Sequence, residues 1–227
     1  MVWGYLQPLL SQQCGAQQNW PKTTRILCLG DSITKGVRPG VAVEQTFESL
    51  LQTSFQNPKN QIEVLNAGIG GERTDQALMR LNQDVIAKKP DIVIIMYGAN
   101  DSYVDIGKTE PRLSQREFRQ NLQQIVERLQ AEKIRVILMT EPRWGRNAKP
   151  NGMGEHPNKH MEPFMEIVRD VARSKSISLV DHYEIWRKLE ASGLDIGSIT
   201  TDQLHPNPSG HKKIAESIEP VLKKLLD

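Results

Sequence analysis

The stretch Ile92-Val93-Ile94-Ile95-Met96-Tyr97-Gly98-Ala99-Asn100-Asp101 decides how the rest of the chain is read. Its first six residues are apolar without a break. A strand with one wet face alternates apolar and polar residues, whereas a strand covered on both faces has no need to. The run therefore predicts a central strand of a parallel sheet, with helices on both sides. The glycine, asparagine and aspartate that follow fall where such a strand ends.

Working outward, four more short runs rich in β-branched and other apolar residues have the same character: Arg25 to Leu29, Ile62 to Asn66, Ile134 to Thr140 and Ile177 to Asp181. Between and after the runs lie segments with apolar residues at helical spacing. They are Glu44 to Phe55, Thr74 to Ala87, Phe118 to Leu129, Met161 to Ala172 and Ile214 to Leu226. Strands alternating with helices predict an α/β fold, a three-layer α/β/α sandwich of flavodoxin-like type with a five-stranded parallel sheet. Ligand sites in such folds sit at the carboxyl ends of the strands.

The whole chain has 227 residues, which suits one domain over 25–227 preceded by a tail or appendage at 1–24. Met1 to Leu10 is moderately apolar and Ser11 to Asn19 is glutamine-rich, without the basic start and longer apolar run of a secretory signal. Secreted, periplasmic and cytoplasmic placements all stay open. Hydrophobic residues make up 38% and charged residues 25%, the net charge is +2, and the basic residues are scattered. Neither a nucleic-acid footprint nor a membrane span is expected. The two cysteines, Cys14 and Cys28, form neither a disulfide framework nor a zinc motif.

Four segments can carry chemistry. Gly30-Asp31-Ser32-Ile33-Thr34 follows a strand and exposes a serine at a turn, where a helix N-cap is the ordinary alternative. It is not a Gly-x-Ser-x-Gly elbow, because Thr34 stands where the second glycine belongs, and Lys35 spoils a P-loop. Asn66 to Thr74 carries Gly68, Gly70 and Gly71, but Arg73 breaks the dinucleotide-binding pattern. A tight turn is the plain reading of that segment. Asn100 can donate an N–H to a developing oxyanion, or form an Asx turn. Asp202 and His205, three apart, suit an acid that orients a base.

In order, these blocks resemble the SGNH hydrolases, the GDSL esterase and lipase family. The matching residues are Gly30-Asp31-Ser32, the Gly70-Gly71 region, Gly98-x-Asn100-Asp101 and Asp202-x-x-His205-Pro206. The resemblance implies a serine esterase with Ser32 as nucleophile, His205 as base and Asp202 orienting it. It implies an oxyanion hole from the N–H groups of Ser32 and Gly71 and the side chain of Asn100. Gly71 is preferred over Gly70 because the family places this glycine five residues after the asparagine that ends the strand, here Asn66. No cofactor and no metal are implied. Asp31 and Asp101 read as hydrogen-bonding scaffold, since added negative charge opposes an oxyanion.

The long loop after Thr140, rich in Gly, Pro and Asn, is of a kind that is usually functional or mobile. From it and its neighbours, Arg73, Arg143 and Trp144 are candidates for substrate contact. Glu155, His156, His160 and Glu162 hint at metal ligation, but Pro157 intervenes and no third strong ligand is placed, so a lid or helix start is the better reading. The expected substrate is a small O-acyl ester, an acetylated carbohydrate by preference. Alternatives are a lysophospholipase or thioesterase-type acyl hydrolase and a non-catalytic carbohydrate-binding relative. A nucleotide binder ranks last, for want of a complete phosphate motif.

Overall fold

The computed structural model describes residues 23–56 and 61–226. Five parallel strands form one sheet: β1 (Thr24–Gly30), β2 (Ile62–Gly68), β3 (Ile92–Met96), β4 (Arg135–Thr140) and β5 (Ser178–Asp181), in the order β2-β1-β3-β4-β5. The sequence runs locate all five to within two residues. The tail expected over 1–24 lies outside the described residues except for Thr23 and Thr24, and Thr24 is already in β1. Cys14 lies outside them too; Cys28 is buried in β1.

Every residue of β3 is buried, as its unbroken apolar run requires. It pairs with β1 on one side and β4 on the other. Each large apolar side chain so buried contributes about 1.5–3 kcal/mol relative to exposure. The helices are α1 (Ser32–Lys35), α2 (Phe47–Phe55), α3 (Thr74–Arg80), α4 (Gln115–Ala131), α5 (Asn158–Ser174), α6 (His182–Ala191) and α7 (Pro208–Leu226). α2 packs on α7, while α3 packs on α4 and α4 on α5, which gives the two outer layers. Between α4 and α5, the Phe118 and Phe164 rings meet at 5.1 Å.

Local chemistry explains the helix ends. Ser114 caps α4 in a capping box: its hydroxyl accepts from the Glu117 N–H, and the Glu117 carboxylate accepts from the Ser114 N–H. The helix expected over Glu44 to Phe55 is shorter, because Thr46 caps α2 and residues 43–45 form a separate 3₁₀ turn. Likewise α3 ends at Arg80 and passes into a π turn and a 3₁₀ turn ending at Lys88. α6 was not expected: it follows β5 directly and buries only His182, Tyr183 and Trp186. Among the described residues no helix is long and apolar enough to cross a membrane.

The strand order reverses at β1. The chain leaves β1 for β2 on one side and returns to β3 on the other. The crevice outside the ends of β1 and β3 is therefore the topological switch point, the place where this strand order collects ligands.

Candidate active site

Ser32 stands at that crevice, on the turn from β1 into α1. Gly30 makes the turn possible: a Cβ there would fall 2.1 Å from Thr34 Oγ1 and 2.7 Å from the Met96 carbonyl oxygen. The capping work that serines often do here is done by Asp31, whose Oδ1 accepts from the Ile33 N–H at 2.9 Å. Ser32 is thereby left with a free hydroxyl, and its Oγ lies 2.8 Å from Nε2 of His205.

His205 comes from a loop 173 residues further on, between β5 and the last helix. Asp202 organises that loop. Its Oδ1 accepts from the backbone N–H of His205 at 2.9 Å, and its Oδ2 lies 2.8 Å from His205 Nδ1. Gln203 adopts a left-handed φ of 75° between them. The Thr201 N–H donates to the His205 carbonyl at 2.8 Å, and Thr200 bridges Pro206, which closes the loop on itself. With Asp202 on Nδ1, the proton sits there and Nε2 is left to accept from Ser32.

Burial lowers the His205 imidazole pKa, against the pull of Asp202. Burial pushes the Asp202 carboxyl up, but the His205 backbone N–H and ring, with Arg38, outweigh it and hold it below the usual range.

Asn100, after β3, lines the same cavity. Its Nδ2 donates to Asp31 Oδ2 at 2.7 Å and its Oδ1 accepts from Arg112 at 3.2 Å. An acceptor on one end and a donor on the other fix the amide's orientation, and among the described residues its second N–H meets no acceptor. Gly71 lies in the turn after β2, with φ of 78° and the Glu72 N–H donating to the Ile69 carbonyl. A Cβ on Gly70 would lie 4.0 Å from Ser32 Cβ, whereas one on Gly71 would meet nothing within 4 Å. Glu72 anchors this turn from beneath, accepting from Arg80 at 2.6 Å and from the Tyr97 hydroxyl at 2.5 Å.

Asp31 and Asp101 both hold neighbours in place. Asp101 Oδ1 accepts from the Thr74 N–H and hydroxyl at 2.9 and 2.6 Å and so ties the start of α3 to the end of β3. Burial pushes Asp31 up to about 7 and Asp101 up to about 6, and buried Glu141 rises well above the carboxylate range. The negative charge beneath the Ser32 turn is correspondingly reduced at neutral pH.

The cavity at Ser32 has a volume of about 190 Å³ and is lined by Ser32, Asn100, Tyr103, Arg112, Trp144 and His205, with Ala99 and Leu204. Of the three substrate-contact candidates, only Trp144 lines it. Its backbone is held on both sides by Asn158, and its ring lies 6.2 Å from Tyr103. Arg73 pairs with Asp75 and lines a neighbouring cavity of about 510 Å³, where Arg112 forms part of the wall. Arg143 pairs with Glu190 and lies over the Tyr183 ring, outside both cavities.

The histidines at the end of the long loop and the start of α5 are tethers. His156 bonds the Gly145 carbonyl at 3.0 Å and His160 bonds Glu155 at 2.8 Å. Among the described residues no group of three His, Cys, Asp or Glu side chains is placed to hold a metal ion. Sequence reading missed Arg38, Tyr103 and Arg112. Each sits on a loop outside the motif blocks, where only the fold shows what it reaches.

The family described as GDSL-like Lipase/Acylhydrolase matches residues 28–213, a span that includes every motif block above. Esterase TesA of Pseudomonas aeruginosa is 28% identical over 218 residues, covering 96% of this chain and 94% of that protein. An uncharacterized lipoprotein of Bacillus subtilis, YqeF, is 28% identical over 225 residues, covering 86% of this chain and 87% of its own. Among solved structures, the acetyl xylan esterase AlAXEase superposes with a TM-score of 0.72 at 26% identity, covering 87% of this chain and 98% of the other.

Proposed function

The chain belongs to the GDSL-like lipase/acylhydrolase family and is a carboxylic ester hydrolase, and from that premise we propose that Ser32, His205 and Asp202 cleave small O-acyl esters of polar alcohols, acetylated carbohydrates in particular. Ser32 Oγ attacks the ester carbonyl carbon while His205 Nε2 takes its proton. Asp202 stabilises the imidazolium so formed. The carbonyl oxygen, now carrying the charge, accepts from the Ser32 N–H, the Gly71 N–H and the unused N–H of Asn100. As the tetrahedral intermediate collapses, His205 returns the proton to the departing alcohol oxygen. Water, deprotonated by His205, then releases the acid from Ser32.

The observation that carries the substrate reading is the size of the cavity at Ser32. About 190 Å³ is below the range of pockets that hold drug-sized ligands, and it has room for a short acyl group. Trp144 and Tyr103 offer aromatic faces to a sugar ring. The names of AlAXEase and TesA fit ester cleavage, and the first fits acetylated sugar.

The test is a panel of nitrophenyl esters and acetylated xylo-oligosaccharides. The expected order is acetyl far above decanoyl, with acetate released from the sugars. Preference for decanoyl would move the assignment to a lipolytic or thioesterase-type hydrolase. Absence of both turnover and fluorophosphonate labelling of Ser32 in folded protein would favour a binding protein. Since the base must be neutral, kcat/KM should rise with pH along a limb below the ordinary imidazole value, because burial lowers His205.

A further inference from the structure

Arg38 stands outside every motif block, yet its Nη2 donates to Asp202 Oδ2 at 2.8 Å. That is the same oxygen that faces the His205 ring. The sequence around Arg38 explains why it reaches so definite a place. Arg38-Pro39-Gly40-Val41 is a tight turn: the Val41 N–H donates to the Arg38 carbonyl at 2.9 Å, and Arg38 donates back at 3.3 Å. Proline at the second position and Gly40 at φ 87° are what a type II turn requires. Val41 is buried, which anchors the turn to the core.

We propose that Arg38 is a positioning residue of the acid–base pair, clamping Asp202 and, through its cation, biasing His205 toward the neutral form that deprotonates Ser32. The proposal rests on the acyl-enzyme reading above. Three groups hold the Asp202 carboxylate: backbone amides on Oδ1, the imidazole, and Arg38 on Oδ2. Asp202 is 41% exposed and Arg38 26%, so the pair does little for stability. Its effect is chemical.

A fixed cation beside Asp202 offsets part of the charge that would favour imidazolium. The charges acting most on His205 are Asp202 from its own loop and Arg38 from the turn after α1, and Arg112 lines the same cavity from the loop before α4. The other imidazole that Arg38 acts on, His211 in α7, is held down to about 4, burial being the larger cause, and stays neutral over the working range.

The sign of the effect follows. With the cation removed, imidazolium is favoured, the His205 pKa rises, and the acid limb of kcat/KM moves to higher pH. Arg38→Met should move that limb up by roughly half to one pH unit, so that activity falls about three- to tenfold on the acid side. Arg38→Lys, which keeps the charge, should stay near wild type. Should the methionine variant fail to fold, Arg38→Gln, neutral and nearly as long, carries the comparison.

A purely structural role would scale the whole profile by one factor and leave the limb in place. That result, or a shift in Arg38→Lys as large as in Arg38→Met, overturns the proposal. The pH dependence of fluorophosphonate labelling reads the same limb without a substrate. No adduct on Ser32 of folded wild type overturns the acyl-enzyme reading and this one together. An adduct with an unmoved limb in Arg38→Met overturns this one alone.

Discussion

The two halves of the site are held in different ways. The Ser32 and Asn100 half grows from the ends of adjacent strands and rests on buried carboxyls, with Asp31 and Asp101 each 1% exposed or less. The His205 half hangs on a surface loop, fixed by an Asp202 that is 41% exposed and reached by Arg38. Ser32 and Asn100, themselves partly buried, thus rest on a buried layer of carboxyls. The base, which must gain and lose a proton every cycle, keeps a link to water.

The largest break in this comparison is Ser32→Ala. Turnover of acetyl nitrophenyl ester should fall by about 10⁴-fold or more, with the thermal midpoint unchanged, because the hydroxyl makes no core contact. Asn100→Ala comes next. It removes one oxyanion donor, and kcat should drop by about 10²–10³-fold with KM little altered. Arg112→Met sharpens the comparison within the rigid half. It leaves Asn100 in place but frees its Oδ1, so kcat should fall about tenfold, with much smaller effects on folding.

The smallest effect is on stability. Asp31 is raised to about 7 when folded, against about 4 unfolded. The folded state therefore binds more protons between these values, and this group's contribution to stability is lost as pH rises from about 4 through about 7. Asp31→Asn should be less stable than wild type at pH 4, where it puts two amide donors face to face at Asn100. The gap in Tm should narrow by several degrees toward pH 7. A gap that stays constant would mean that Asp31 is not the buried acid that titrates there.

What the sequence disclosed and what it hid divide along the same line. The strands were legible because burial on both faces leaves an unbroken apolar run, as in Ile92 to Met96. The motif blocks were legible because each follows a strand or precedes the last helix. The helix α6 is hidden because its fully buried face is only His182, Tyr183 and Trp186, interspersed with the charged Glu184, Arg187, Lys188 and Glu190. Arg38 and Arg112 were hidden because an arginine on a loop gives no local sign of what its long side chain will meet. Arg143 looked like a substrate contact for the converse reason: it adjoins Trp144 in sequence, but Glu190 and Tyr183 hold it elsewhere.

The 173-residue separation of Ser32 from His205 also orders events during synthesis. A ribosome delivers the nucleophile, the three donors and all five strands before residue 202 emerges. On the proposed mechanism, the nascent chain lacks its base until Asp202 and His205 arrive and α7 docks on α2. Ester cleavage is then the last property the polypeptide acquires, and a chain stopped short of that loop is expected to be inactive.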